Sequence, residues 1–303
     1  MTNTIGVLID SIRCSGCGRC LRVCPDRVFS LLEGRAVVSG RSCIGCGHCV
    51  AVCPEEAIVV SGVEPDLGFT TFTENRAWLP WGESDVAELV RLMRSRRSCR
   101  NYQTRPIPRE MLRDLVKIGT TAPSGTNSQA WTFTVLAARV EVEELGNRVA
   151  DFYRQLNRRA KNPLLRLLAR FFMKDALGRY YRSYYQSIAD GLRLWEEEGR
   201  DLLFHGATAA LVVGSRPGGS CPAEDALLAT GNILLAAHAM GLGTCLIGFA
   251  VEAMRRERFI PRALGMTADE TIHAVIALGW PAETYREVTG RRPPVCRFLS
   301  PVT

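Results

Sequence analysis

Histidine is sparse, with four in 303 residues, and no Ser-His-Asp set can be assembled, which argues against triad hydrolysis. No Gly-x-Gly-x-x-Gly follows a strand-like run, so a Rossmann dinucleotide site has no support. The first ten residues, Met1 to Asp10, lack a basic stretch ahead of an apolar core, and no signal peptide is expected. Ala226 to Val251 contains no Asp, Glu, Lys or Arg over 26 residues. Length and missing charge alone would allow a membrane span. Asn232, His238 and the Gly241-Leu-Gly243 break divide it, and it reads as a buried helix, a turn and a core strand. The first 62 residues have few aromatic or large aliphatic side chains, too few to bury much apolar surface. Something other than hydrocarbon must form their core.

That something is cysteine. Twelve are present, and eight fall in two runs. The first is Cys14-Ser-Gly-Cys17-Gly-Arg-Cys20-Leu-Arg-Val-Cys24-Pro25. The second, Cys43-Ile-Gly-Cys46-Gly-His-Cys49-Val-Ala-Val-Cys53-Pro54, repeats it 29 residues later. Each is C-x2-C-x2-C-x3-C-P, the bacterial iron–sulfur run, in which the fourth cysteine ligates the other cluster. Cys14, Cys17, Cys20 and Cys53 are assigned to one [4Fe–4S] cluster, and Cys43, Cys46, Cys49 and Cys24 to the other. Zinc sites show paired C-x2-C with a longer spacer. Disulfides would need an oxidising compartment and would not explain the repetition. The stretch resembles a bacterial two-cluster ferredoxin over about the first 60 residues. Cys99, Cys221, Cys245 and Cys296 have no ligand spacing and are expected to be small buried residues. Free thiols and iron–sulfur chemistry together point to a reducing cytoplasm.

The formal net charge is +7, unevenly spread. Residues 1–84 hold seven basic and nine acidic residues, while 151–182 hold nine basic and two acidic. Such a basic stretch suits nucleic acid, a membrane surface, or solubility alone; no nucleic-acid motif accompanies it. Residues 63–84 read as a linker broken by Pro65, Gly68 and Pro80, with Trp78 and Trp81 expected to dock the two domains hydrophobically.

Beyond residue 84, apolar spacing predicts helices over Asp85–Ser95, Arg109–Thr121, Glu141–Asn157, Pro163–Lys174, Leu177–Arg200, Cys221–Met240 and Val251–Phe259. Strands are expected over Thr132–Ala137, Leu211–Gly214, Thr244–Gly248 and His273–Leu278. Helix and strand alternate, so the class is α/β or α+β. Arg96, Ser98 and Arg100, at i, i+2 and i+4, share one side of an extended stretch. Two guanidiniums and a hydroxyl form a forked donor set suited to phosphate.

The order R-R-S-x-R-x-Y (Arg96–Tyr102), P-S-G-T-N-S-Q-A-W (Pro123–Trp131), G-L-G-T-C-L-I-G-F (Gly241–Phe249), A-L-G-W-P (Ala277–Pro281) and R-R-P-P (Arg291–Pro294) resembles the nitroreductase family of flavin enzymes across residues 85–303. The resemblance implies an α+β sandwich, preceded here by the small ferredoxin domain and interrupted by a helical insertion at 151–205. It implies an FMN-containing homodimer with FMN at the subunit interface. By position, Arg96, Arg97, Ser98, Arg100, Arg291 and Arg292 would hold the phosphate and ribityl chain. Pro123, Ser124, Gly125 and Asn127 would reach the isoalloxazine ring from the partner subunit. Leu246, Ile247 and Gly248 would place backbone N–H groups near flavin N5.

The resemblance makes a nitroaromatic or quinone the expected acceptor, with electrons from ferredoxin or NAD(P)H. NAD(P)H needs no Rossmann motif here, because in this family the nicotinamide stacks on the flavin. Rival readings are an electron carrier serving a protein partner, a reductive dehalogenase and a flavin-processing relative. Arg166, Arg170 and Lys174 lie at i, i+4 and i+8, followed by Tyr180, Tyr181, Tyr184 and Tyr185. This stretch, Asn162–Tyr185, is expected to be an ordinary core helix with a solvated face, a lid over the flavin, or a helix lying on anionic lipid.

Overall fold

The computed structural model describes residues 5–40, 42–64, 66–172 and 175–299. The described residues up to 60 form two antiparallel strand pairs and two short helices. Strand β1 (Val7–Ile9) precedes α1 (Arg19–Val23), then β2 (Phe29–Leu32), β3 (Arg35–Val38), α2 (His48–Ala51) and β4 (Ile58–Val60). β1 pairs with β4 and β2 with β3. The buried set is Cys20, Val28, Phe29, Ala36, Cys49, Ile58 and Val60. Two of these seven are cysteines from the runs, so the thiol cages and the apolar core are one body. Gly18 and Gly47, immediately before α1 and α2, take φ of 69° and 72°, a left-handed conformation that glycine adopts without penalty.

The larger part begins at α3 (Val86–Ser95), capped by the Asp85 carboxylate on the N–H groups of Ala87 and Glu88, followed by α4 (Arg109–Gly119). Next come β5 (Trp131–Leu136), α5 (Arg139–Lys161), α6 (Pro163–Phe172), α7 (Ala176–Ser183), α8 (Tyr185–Glu198) and β6 (Ala209–Ser215). The remainder is α9 (Pro222–Ala239), β7 (Gly243–Leu246), α10 (Gly248–Arg256), α11 (Phe259–Ala263) and β8 (Thr271–Gly279). The four strands make one antiparallel sheet, in the order β5-β6-β8-β7.

All seven residues of β6 are buried, and period-two alternation sends them to two cores. Ala210 and Val212 meet Val142, Leu145 and Val149 of α5 and Ala250, Ala253 and Met254 of α10. Ala209, Leu211 and Val213 meet Leu112 and Leu115 of α4 and Ala226, Ile233 and Ala237 of α9. The result is a helix–sheet–helix sandwich. Each fully buried Leu or Ile contributes about 1.5–3 kcal/mol. The charge-free stretch from Ala226 is a helix, a turn and a strand as read. No described helix is long and apolar enough to cross a membrane.

Two readings change, and one falls outside the described residues. Leu177–Arg200 is two helices rather than one, because Tyr184 leaves the helical region at φ −131°, ψ −21°. There its ring packs against Tyr180 and Phe249. Lys174, the end of the predicted basic stripe, lies outside the described residues. Trp78 and Trp81 do not dock the two parts. They meet edge to face, ring centroids 5.6 Å apart, and Trp81 is 89 % exposed. The connection is held instead by Asp114 of α4, fully buried, which accepts from the N–H and hydroxyl of both Thr70 and Thr71. Burial alone would raise this carboxyl. The Thr71 and Thr70 donors, with Lys117 beside it, hold it below its ordinary value.

Of the four remaining cysteines, Cys245 is buried as expected and Cys99 partly so, but Cys221 and Cys296 are exposed. Cys221 sits at the N-cap of α9, and Cys296 sits in an extended terminal segment without sheet partners.

Candidate functional site

The eight cysteines separate into two cages, and each cage crosses the two runs. Cys14, Cys17, Cys20 and Cys53 line one small cavity; Cys24, Cys43, Cys46 and Cys49 line the other. α1 and α2 each carry the third thiol of a run, Cys20 and Cys49, and each cage is completed by the last cysteine of the other run. Backbone N–H groups already face sulfur: Val28 N to Cys24 at 3.3 Å, Ala57 N to Cys53 at 3.4 Å, Gly45 N to Cys43 at 3.4 Å and Ala36 N to Cys14 at 3.5 Å. Burial pushes the Cys49 thiol up to about 11 and raises Cys20 as well. Such thiols stay protonated unless a metal takes the thiolate. Among the described residues no three His, Cys, Asp or Glu side chains converge on a single-ion site. Four thiols spread around a cavity fit a cubic cluster, one thiolate for each iron, and not a lone zinc.

The second candidate site lies along β7. Ser98 pairs in parallel with Thr244, and Cys99 N donates to the Thr244 carbonyl at 2.8 Å. The stretch from Arg96 to Arg100 is therefore extended along the open edge of β7. Arg96, Ser98 and Arg100 share the field of Cys245, and Arg291 reaches Arg96 from the terminal segment. Burial first, then Arg97 and Arg291, push the Arg96 guanidinium below its ordinary value. None of Arg96, Arg97, Arg100, Arg291 and Arg292 forms an ion pair among the described residues. Arg96 and Arg97 are part-buried like charges without an ion-pair partner, which is costly unless an anion joins them, so with Ser98 they fit a phosphate. Arg97, Ser98 and Arg100 also line a cleft of about 730 Å³, whose other walls include Gly243 and the carboxylates Glu283 and Glu287. Arg291 and Arg292 are both exposed; Arg291 acts on the Arg96 charge, and among the described residues Arg292 has no side-chain hydrogen bond.

The β7 edge qualifies one expected donor. Ile247 N–H goes to the Val275 carbonyl at 2.8 Å and is not free for a flavin. Antiparallel alternation then points the Leu246 N–H away from β8. Gly248 opens α10, where the first N–H groups have no helical acceptor. The Leu246 and Gly248 N–H groups are left open by the sheet and the helix start, while that of Ile247 is spent on the strand.

The loop Pro123 to Gln129 is a rigid platform. Gly125 N and the Ser128 hydroxyl both donate to the buried Asp225 carboxylate of α9, at 2.9 and 3.2 Å. Thr126, Asn127 and Gln129 all take positive φ, between 46° and 53°, strain of the kind stored at functional sites. The Asn127 amide donates to the Ile44 carbonyl at 2.9 Å and accepts from Gln129 at 3.2 Å. The polar groups of Gly125 and Asn127 are thus committed within the chain. Pro123 and the Ser124 hydroxyl proton remain available to a flavin ring.

Two further features had no signal in the spacing. His205, at φ 57°, lies near Arg100; burial and Arg100 lower its imidazole, while Asp201 opposes them. An aromatic group of Tyr153, Tyr180, Tyr184 and Phe249 spans the insertion and the start of α10. Tyr181 and Tyr185 turn away and pair with each other at 4.8 Å. Arg166 lies 4.0 Å over the Tyr181 ring, so the predicted basic stripe is partly folded back on the insertion.

Comparison with known proteins follows the same division. Residues 93–280 match the Nitroreductase family, and residues 6–54 match the 4Fe-4S dicluster domain. A protein named NADH dehydrogenase from Thermus thermophilus is 30% identical over 189 residues, 62% of this chain and 84% of that one. An iodotyrosine deiodinase from Haliscomenobacter hydrossis is 25% identical over 203 residues, 66% of this chain and 82% of that one. A Bacteroides fragilis nitroreductase solved with bound FMN superposes with a TM-score of 0.52 at 20% identity, covering 70% of this chain and 98% of that one. At that identity it speaks to the fold.

Proposed function

The chain belongs to the nitroreductase family, a flavin oxidoreductase with a 4Fe–4S ferredoxin-like domain, and from that premise we propose that two [4Fe–4S] clusters feed electrons to FMN for reduction of a small organic acceptor, a nitroaromatic or a quinone. Clusters carry single electrons and a flavin can accept one at a time and deliver two, so the pairing supplies one-to-two-electron conversion. The protein's own part is binding and orientation. Cys14, Cys17, Cys20 and Cys53 hold one cluster; Cys24, Cys43, Cys46 and Cys49 hold the other. Arg96, Ser98, Arg100 and Arg291 take the FMN phosphate. Leu246 and Gly248 offer N–H groups to the ring, and Pro123 and Ser124 of a second copy close over it.

The observation that carries this reading is the presence of two crossed thiol cages and an arginine cluster without ion-pair partners in one chain, with Asn127 tying the second cysteine run to the larger domain. Purification without oxygen and quantification of iron, sulfide and released flavin should give eight irons and one FMN per chain. Four irons, or zinc in their place, would overturn the cysteine assignment.

A second reading has one specific support. A relative named iodotyrosine deiodinase aligns over most of its length, and the ring group of Tyr153, Tyr180, Tyr184 and Phe249 suits an aromatic guest. Turnover of a halophenol with halide release, in preference to nitroaromatics and quinones, would favour reductive dehalogenation.

A further inference from the structure

The peptide unit joining Ile44 to Gly45 lies inside the second cysteine run, between Cys43 and Cys46. Its N–H faces sulfur, with Gly45 N 3.4 Å from Cys43 Sγ. Its carbonyl, the other end of the same amide, accepts from Asn127 Nδ2 at 2.9 Å. Asn127 comes 83 residues later, from the loop that Asp225 pins. Gln129 donates to Asn127 Oδ1, which fixes which end of the carboxamide faces Ile44. Among the described residues this is the one hydrogen bond between residues 5–62 and residues 85–299. The first run has no counterpart: Cys14 receives its N–H from Ala36, within its own domain.

Hydrogen bonding at a carbonyl polarises its amide and makes the N–H a better donor. A stronger N–H···S bond favours the more negatively charged, reduced state of a cluster. We propose that Asn127 is a positioning residue that docks the second cysteine run and raises the reduction potential of the cluster held by Cys24, Cys43, Cys46 and Cys49. The inference rests on the proposed reading that those thiols hold a [4Fe–4S] cluster. It adds that the tuning group is supplied by the other domain, so this potential depends on docking while that of the first cage does not.

The test uses the full chain with clusters and flavin in place. Midpoint potentials of both clusters are read by electron paramagnetic resonance after equilibration with redox mediators. A Cys46→Ser variant, whose signal is altered at one cluster, identifies the second-run cluster. Asn127 sits at φ 53°, so Asn127→Gly removes the side chain without backbone strain. Asn127→Asp sets an anionic acceptor against the Ile44 carbonyl. Both should lower the second-run midpoint, Asp more than Gly, and leave the other midpoint in place. Gln129→Ala, which only frees the carboxamide to rotate, should give a smaller shift of the same sign. Unchanged midpoints in variants with parental iron content, or equal shifts of both clusters, would overturn the inference. Parent protein lacking cluster iron would overturn the reading beneath it, and that result is separate from any midpoint.

Discussion

At the scale of single residues, the arginine cluster shows what local spacing can and cannot convey. Arg96, Ser98 and Arg100 share a side because an extended chain alternates, and nothing more than that stretch is needed to see it. Arg291 is different. Its approach to Arg96 closes a loop of nearly 200 residues, and no local pattern separates it from its neighbour Arg292. Loss of one charge-assisted hydrogen bond to phosphate costs about 1.5–3 kcal/mol, or roughly tenfold or more in affinity. Arg96→Ala, Arg100→Ala and Arg291→Ala should each weaken FMN retention by that factor, while Arg292→Ala should leave it near the parent value. Fluorescence of flavin released on dilution measures this. Equal retention in all four variants would make the cluster ordinary surface charge. The spent Ile247 N–H was equally hidden, because strand pairing with Val275 decides it.

At the scale of elements, what was legible followed apolar period; what was not followed rings. The core strands and the helices flanking them lie within a few residues of their expected bounds, because burial on a sheet imposes period two and burial of a helix imposes its own stripe. The break at Tyr184 carries no glycine or proline. It is set by ring packing against Phe249, centroids 5.9 Å apart, a tertiary contact that overrides helical propensity. The tryptophans of the connection misled for a related reason: apolar bulk signals burial only when a surface is there to receive it. The sequence suggested a lid, with Tyr184 and Tyr185 treated alike. The structure separates them, since Tyr184 touches the residue after Gly248 and Tyr185 faces Tyr181. If the insertion covers a flavin-side pocket, an aromatic guest competes for the Tyr184 ring. An aromatic pair is worth about 0.5–1.5 kcal/mol, so Tyr184→Ala should change KM for an aromatic acceptor roughly two- to twelvefold. Tyr185→Ala should not. Identical steady-state kinetics in the two variants would remove the lid.

At the scale of the whole molecule, the chain carries apolar surface that it does not cover itself. Val86, Leu89, Val90 and Met93 form one stripe on α3 at i, i+3, i+4 and i+7, yet none of its ten residues is buried. A helix that short is marginal in water without a covered face. The terminal segment repeats the problem, with Phe298 91 % and Leu299 96 % exposed, and it is this segment that brings Arg291 into the field of Arg96. A second copy answers both needs. It would cover α3 and the arm, and its Pro123–Ser124 loop would reach a flavin held by Arg96 and Arg291. A stable interface of this kind buries about 800 Å² on each partner. The parent protein should therefore sediment as a dimer. Leu89→Glu with Met93→Glu, on the exposed stripe and outside both cysteine runs, should yield monomers that keep their iron and lose FMN. Sedimentation velocity with flavin and iron analysis on the same sample decides it: a monomeric parent holding one FMN would show that a single chain completes the site, and that the stripe on α3 serves another partner.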